Sequence, residues 1–161
     1  MKRLRTLILC LCVLVLTGCQ TMRTTSPLHG FSPACVVLST PSPDRMAAWY
    51  KRVLDFHDQG TTTGVPGVGL RQLVHGDAVI VLATVPGQQP PCEPKDPPRH
   101  LEISGLRNLV FWVHDLEKAN AHLETLGVPL LLRSVPVPSI GVITTSFRDP
   151  DGNLVALWSR P

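Results

Sequence analysis

The stretch Asp149-Pro150-Asp151-Gly152-Asn153 stands between two apolar runs, Ile140 to Phe147 and Leu154 to Trp158, and the fold is read from it. Two aspartates, a proline and a glycine in this order specify a turn, because proline fixes φ and glycine supplies the left-handed backbone that other residues avoid. The flanking runs then read as paired strands. Working back towards the N-terminus, Pro129 to Arg133 reads as another strand. Before it, Asp115 caps a helix with the apolar stripe Leu116, Ala119, Leu123 and Leu126, ended by Gly127 as a left-handed cap. Ahead of the cap, Leu109, Phe111 and Val113 alternate with Asn108, Val110, Trp112 and His114, a strand with two different faces.

The same order occurs earlier. Cys35 to Thr40 reads as a strand, and Ser42-Pro43-Asp44 supplies a capping hydroxyl, a proline suited to the first helical position and a carboxylate near the positive helix end. Met46, Trp49, Tyr50, Val53 and Leu54 follow at helical spacing. The step from Ser42 to Asp115 equals that from Cys35 to Asn108, so the two copies keep one register. The glycine-rich stretch around Gly60, Gly64, Gly67 and Gly69 reads as a loop. Leu70 to Val74 and Ala78 to Thr84 read as strands joined at His75-Gly76-Asp77. Each copy is a strand, a helix and about three strands.

The 161 residues fit one domain built of two halves, and 43% hydrophobic content with 16 prolines and 12 glycines suits a strand-and-turn protein. Residues 34–160 form the domain: 34–85 the first module, 86–105 a linker and 106–160 the second module. Six prolines between Val85 and Pro98 exclude a central strand or a helix interior there.

Residues 1–18 read as a signal peptide. Lys2, Arg3 and Arg5 precede the apolar run Leu7 to Leu16, which is shorter than the roughly 20 residues that cross a bilayer. Leu16-Thr17-Gly18-Cys19 resembles a bacterial lipobox, which makes Cys19 the expected lipidation site and residues 19–33 a lipidated cysteine and flexible tether. Acyl chains on Cys19 would hold the protein to a membrane. Gln20, in place of an aspartate, implies passage to the outer membrane, facing the periplasm.

Removing Lys2, Arg3 and Arg5 takes Lys plus Arg from 15 to 12, equal to the 12 acidic residues, so the formal charge of +3 belongs to the signal. A neutral chain without a basic stripe is a poor partner for nucleic acid. Of the five cysteines, Cys10 and Cys12 leave with the signal and Cys19 carries lipid. Cys35 and Cys92 remain, and their spacing leaves pairing open. No Cys-x-x-Cys or His-x-x-x-His points to a local metal site.

The duplicated module resembles the vicinal oxygen chelate superfamily, to which glyoxalase I, extradiol dioxygenases, fosfomycin-resistance proteins and bleomycin-resistance proteins belong. The resemblance rests on Trp49-Tyr50 through Val53-Leu54-Asp55-Phe56, on Asp115-Leu116 through Gly127, and on Phe147 to Leu157; Asp55 replaces a usual glycine. It implies an α+β fold of two βαβββ modules forming a curved open trough. It also implies a divalent metal acting as Lewis acid on substrate oxygens. Carried over by register, the metal positions are Cys35, Val81, Asn108 and Ala156, two of which cannot ligate. The expectation is therefore no cofactor and no catalytic residue, with a divalent metal disfavoured. The trough face is expected to present Asn108, Trp112, His114, Cys35, Ser39, Val81 and Ala156, with Val37, Val79 and Val110, to a small organic ligand.

Three classes of function follow: a small-molecule binder without metal, a metal-dependent lyase, isomerase or dioxygenase-like enzyme in which Cys35 and a histidine such as His114 converge, and a structural or interaction lipoprotein with a filled trough. The resemblance also allows a homodimer, since related chains pair modules within or between subunits. His57, His75, His100 and His122 read as solvated.

Overall fold

The computed structural model describes residues 35–89, 94–102 and 105–161. The signal, Cys19, the tether and Cys92 lie outside the described residues. In the first module, β1 (Val36–Ser39) leads into α1 (Pro43–Leu54), followed by β2 (His57–Val65), β3 (Val68–His75) and β4 (Ala78–Thr84). The second repeats this as β5 (Asn108–Trp112), α2 (Leu116–Thr125), β6 (Leu130–Val137), β7 (Val142–Arg148) and β8 (Leu154–Ser159). The sheet orders, β1-β4-β3-β2 and β5-β8-β7-β6, are the same path drawn twice. In each module the first and last strands are parallel and the other pairs antiparallel. A parallel pair needs a crossover, and the helix supplies it while covering one face of its sheet. The chain is thus a mixed α+β fold of two βαβββ modules.

Pro43 opens α1 and Asp44 lies in its first turn, yet the Ser42 side chain makes no capping bond. Instead the Thr40 hydroxyl accepts from the Ser42 N–H at 3.1 Å, so the hydroxyl that orders this end lies two residues earlier than the sequence suggests. In α2 the expected cap forms, the Asp115 carboxylate accepting from the Lys118 N–H at 3.0 Å. That helix ends with Gly127 at φ 68°, the Gly127 N–H on Glu124 O and the Val128 N–H on Leu123 O. This paired closure satisfies two terminal carbonyls and brings Val128 down onto Leu123. At the end of α1, Asp55 adopts φ 55° without being glycine.

A second expectation fails. Most of the glycine-rich stretch is strand β2, not a loop. Its pairing with β3 is broken between Asp58 and Thr61 and again between Thr62 and Val65, and it runs along the sheet's edge. Bulges at an edge accommodate glycine and need no alternation of apolar residues, which removes the signal that marks a strand in sequence. Two boundaries also move: β6 continues to Val137 through Pro136, and a short 3₁₀ turn, Pro138–Ile140, precedes β7.

Helix-facing positions of both sheets make one core. Leu38, Leu73, Ile80 and Leu82 pack with Met46, Ala47, Tyr50 and Val53 of α1, and Leu109, Phe147, Val155 and Leu157 pack with Leu116 and Leu123 of α2. At each helix start an arginine of the sheet holds an acid of the first turn: Arg71 pairs with Asp44 and Asp58, and Arg133 with Glu117. The Arg71 bonds hold the Asp58 carboxyl below its ordinary range.

Candidate ligand site at the module junction

The helices meet the opposite module at two equivalent places. The offset between the copies carries Met46, Trp49 and Tyr50 of α1 onto Ala119, His122 and Leu123 of α2. On the α1 side the large trio fills the space. The Trp49 and Tyr50 rings stand 5.0 Å apart edge to face, and Trp49 lies 6.1 Å from Phe147. Tyr50, fully buried, donates its hydroxyl to Asp149 Oδ2 at 3.1 Å.

Asp149 in turn organises the hairpin from which the fold was read. Its Oδ1 accepts from the N–H groups of Asp151 (3.0 Å) and Asn153 (2.8 Å), and its Oδ2 from the Asn153 amide (2.8 Å). Arg45 of α1 pairs with Asp151. The Asp-Pro-Asp-Gly-Asn turn is therefore a joint between modules as well as a corner between strands. Burial pushes the Asp149 carboxyl above the ordinary carboxylate range, against the pull of the Asn153 and Tyr50 bonds. The Tyr50 phenol is held far above its own range, first by burial and then by the charge of Asp149.

On the α2 side the smaller trio leaves a cavity of about 390 Å³. Its walls are Val53, Leu54, Phe56, Ala78, Phe111, Trp112, Val113, Ala119, Leu123 and Leu157, and its polar groups are Asp55, His75 and His122. Phe56 and Phe111 meet edge to face at 5.9 Å. His75 Nδ1 lies 3.0 Å from the backbone carbonyl of Asp55, which fixes the ring at the mouth. The volume falls within the range of small-molecule sites, and an apolar lining with few polar groups is their usual chemistry.

Of the residues expected from sequence to bind a ligand, Trp112 lines this cavity. It is 60% exposed and stacks edge to face on Trp158 at 5.9 Å. Asn108 lines a separate space of about 50 Å³ with Leu38, Leu106, Arg107 and Asn153. Cys35 and His114 are exposed. Ser39 is exposed too, its hydroxyl 2.6 Å from the Gln88 amide. Val81 is half-buried and Ala156 is 2% exposed. The structure brings Trp112 to Phe56, Phe111, His75, His122 and Asp55, and leaves the other expected positions out of that cavity. Comparing the two helices residue by residue would have pointed to it, since the second has the smaller residue at each of the three matched places.

The metal that the fold implies does not fit the residues present. Val81 and Ala156 offer no donor, and among the described residues no three His, Cys, Asp or Glu side chains come together in a way that could hold an ion.

Comparison with known proteins agrees with the fold. The chain is similar to a glyoxylase/bleomycin resistance protein/dioxygenase domain from Frankia sp. EAN1pec, at 21% identity and a TM-score of 0.65 over 81% of this chain and 98% of that one. It is similar to SMU.1112c at 24% identity and 0.64, over 80% and 98%. It is also similar to the virulence protein STM3117 from Salmonella typhimurium at 19% and 0.57, over 81% and 98%. No curated protein matches the sequence. The family model that matches spans residues 33–157, both modules and the linker between them, and the chain belongs to the Glyoxalase/Bleomycin resistance protein/Dioxygenase superfamily.

Proposed function

We propose that the protein is a lipid-anchored binding protein of the cell envelope, held at the outer membrane and facing the periplasm, whose domain takes a small organic molecule without a catalytic metal. The observation that carries the reading is the apolar cavity of about 390 Å³ at the module junction. Burying a ligand's apolar surface there would supply most of the affinity, at about 25 cal/mol per Å² removed from water. The donor-poor family positions support binding over Lewis-acid chemistry, and the exposed Cys35 and His114 do not join a third donor among the described residues. The lipobox-like segment ending at Cys19 supports the anchor. Among the described residues no helix is long and apolar enough to cross a membrane, so on this reading attachment falls to the lipid.

Ala119→Trp tests the cavity by projecting an indole into it. A neutral apolar fluorescent probe such as N-phenyl-1-naphthylamine should bind the wild type and lose about tenfold or more in affinity to the variant; equal binding by both would sink the assignment. Elemental analysis of purified protein after exposure to nickel, zinc, manganese and ferrous iron should find no stoichiometric metal. Cys19→Ala should move the protein out of the membrane fraction, and unchanged partitioning would overturn the anchor.

A further inference from the structure

The mouth of the cavity carries more information than its walls. Asp55 O is a backbone carbonyl and can only accept a hydrogen bond, so His75 Nδ1, 3.0 Å away, carries the proton. In its neutral form the ring then presents Nε2 as an acceptor. Asp55 itself lies on the same rim, where its carboxylate would repel an anionic head group and accept from a neutral donor. His122 of α2 also lines the cavity and offers a donor and an acceptor alike. Below this rim the walls include three aromatic residues, Phe56, Phe111 and Trp112. Edge-to-face contacts of the kind Phe56 makes with Phe111 favour another planar ring over a flexible alkyl chain.

From this juxtaposition we infer that the cavity takes a planar aromatic molecule bearing a neutral hydrogen-bond donor, a phenol-type hydroxyl or an aromatic N–H, with the ring between Phe56, Phe111 and Trp112 and the donor turned to His75 Nε2. The inference rests on the proposed use of this cavity as a binding site. It adds the class of ligand and assigns His75 as the residue that selects it.

Three probes of nearly one size separate the two ideas: 2-naphthol, which has the donor; 2-methoxynaphthalene, which keeps the oxygen and loses the donor; and naphthalene. The full chain in lipid nanodiscs is titrated with each. Tryptophan fluorescence is the readout, with empty discs subtracted. 2-Naphthol should bind about threefold to tenfold more tightly than the other two, the range of one net hydrogen bond. His75→Phe should lose that preference, so that 2-naphthol no longer binds more tightly than 2-methoxynaphthalene. Equal affinity of all three probes for the wild type overturns the donor assignment and leaves the cavity standing as an apolar site. Binding of none of them removes the cavity reading itself. The comparison of 2-naphthol with 2-methoxynaphthalene needs no variant, so it decides the matter even if His75→Phe fails to fold.

Discussion

The two junctions of this duplicated chain differ in what equivalent helix positions offer. At one, Trp49 and Tyr50 fill the space and Tyr50 closes a hydrogen bond on the Asp149 turn. At the other, His122 and Leu123 face the shorter His75-Gly76-Asp77 turn across open space. Duplication sets the backbone twice, and side-chain volume then decides which copy becomes a joint and which a cavity. A packed interior tolerates no gap without losing contacts, so the hollow half gives up stability that the filled half retains.

The most direct way to break the contrast is to make α1 like α2. Tyr50→Leu would remove the hydroxyl, leave the buried Asp149 carboxylate short of a donor and open a void. The expected loss is about 3 kcal/mol, read as a fall in the urea midpoint at unchanged slope.

Tyr50→Phe sharpens the same comparison by keeping the ring. It should cost about 1–2 kcal/mol near neutral pH. Because the lost bond was one of the contacts pulling the Asp149 carboxyl down, that carboxyl rises further in the variant. A carboxyl whose folded pKa lies above its unfolded value penalises the fold while charged, and the penalty fades as pH falls through the folded pKa. The difference between variant and wild type should therefore shrink on acidification, as followed by denaturant titrations across the acid range. Arg71 and Asp58 make the opposite contribution in both proteins: the Asp58 carboxyl is held low, so its stabilisation is full above the unfolded pKa and is lost as pH falls through the lower folded one. It cancels in the difference.

The smallest expected effect is at the helix ends. α2 stops at Gly127 in the left-handed region, and Asp55 takes a similar conformation after α1. Asp55→Gly should stabilise by about 0.5 kcal/mol, a relief of backbone strain partly offset by the greater freedom of glycine in the unfolded chain, and a thermal melt would detect it. No gain would mean that Asp55 is held there without cost.

The repeat, both helices and seven of the eight strands were legible in sequence, because each is written in local periodicity and in a cap or turn: the stripe from Met46 to Leu54, the Asp115 cap, the Gly127 stop, the 149–153 turn. β2 was not, since a bulged polar edge strand has no such pattern. The cavity was hidden for a different reason. Phe56, Phe111 and His75 belong to different elements, and only the packing of one module on the other joins them. Register carried attention to the face that includes Val81 and Ala156, where Ala156 is closed off and Cys35 and Ser39 lie open. Trp112 was found because it stands at the rim of that face and still reaches the cavity.

The outer strands have one more consequence. β2 and β6 each end a sheet, and each is irregular: β2 pairs with two interruptions, and β6 carries Pro136 and the left-handed Ser134. Neither rim offers a continuous ladder of free N–H and C=O groups, the template on which strands of neighbouring molecules zip into fibrils. The same bulges that hide β2 from a reader of the sequence make that edge a poor template for a neighbouring strand.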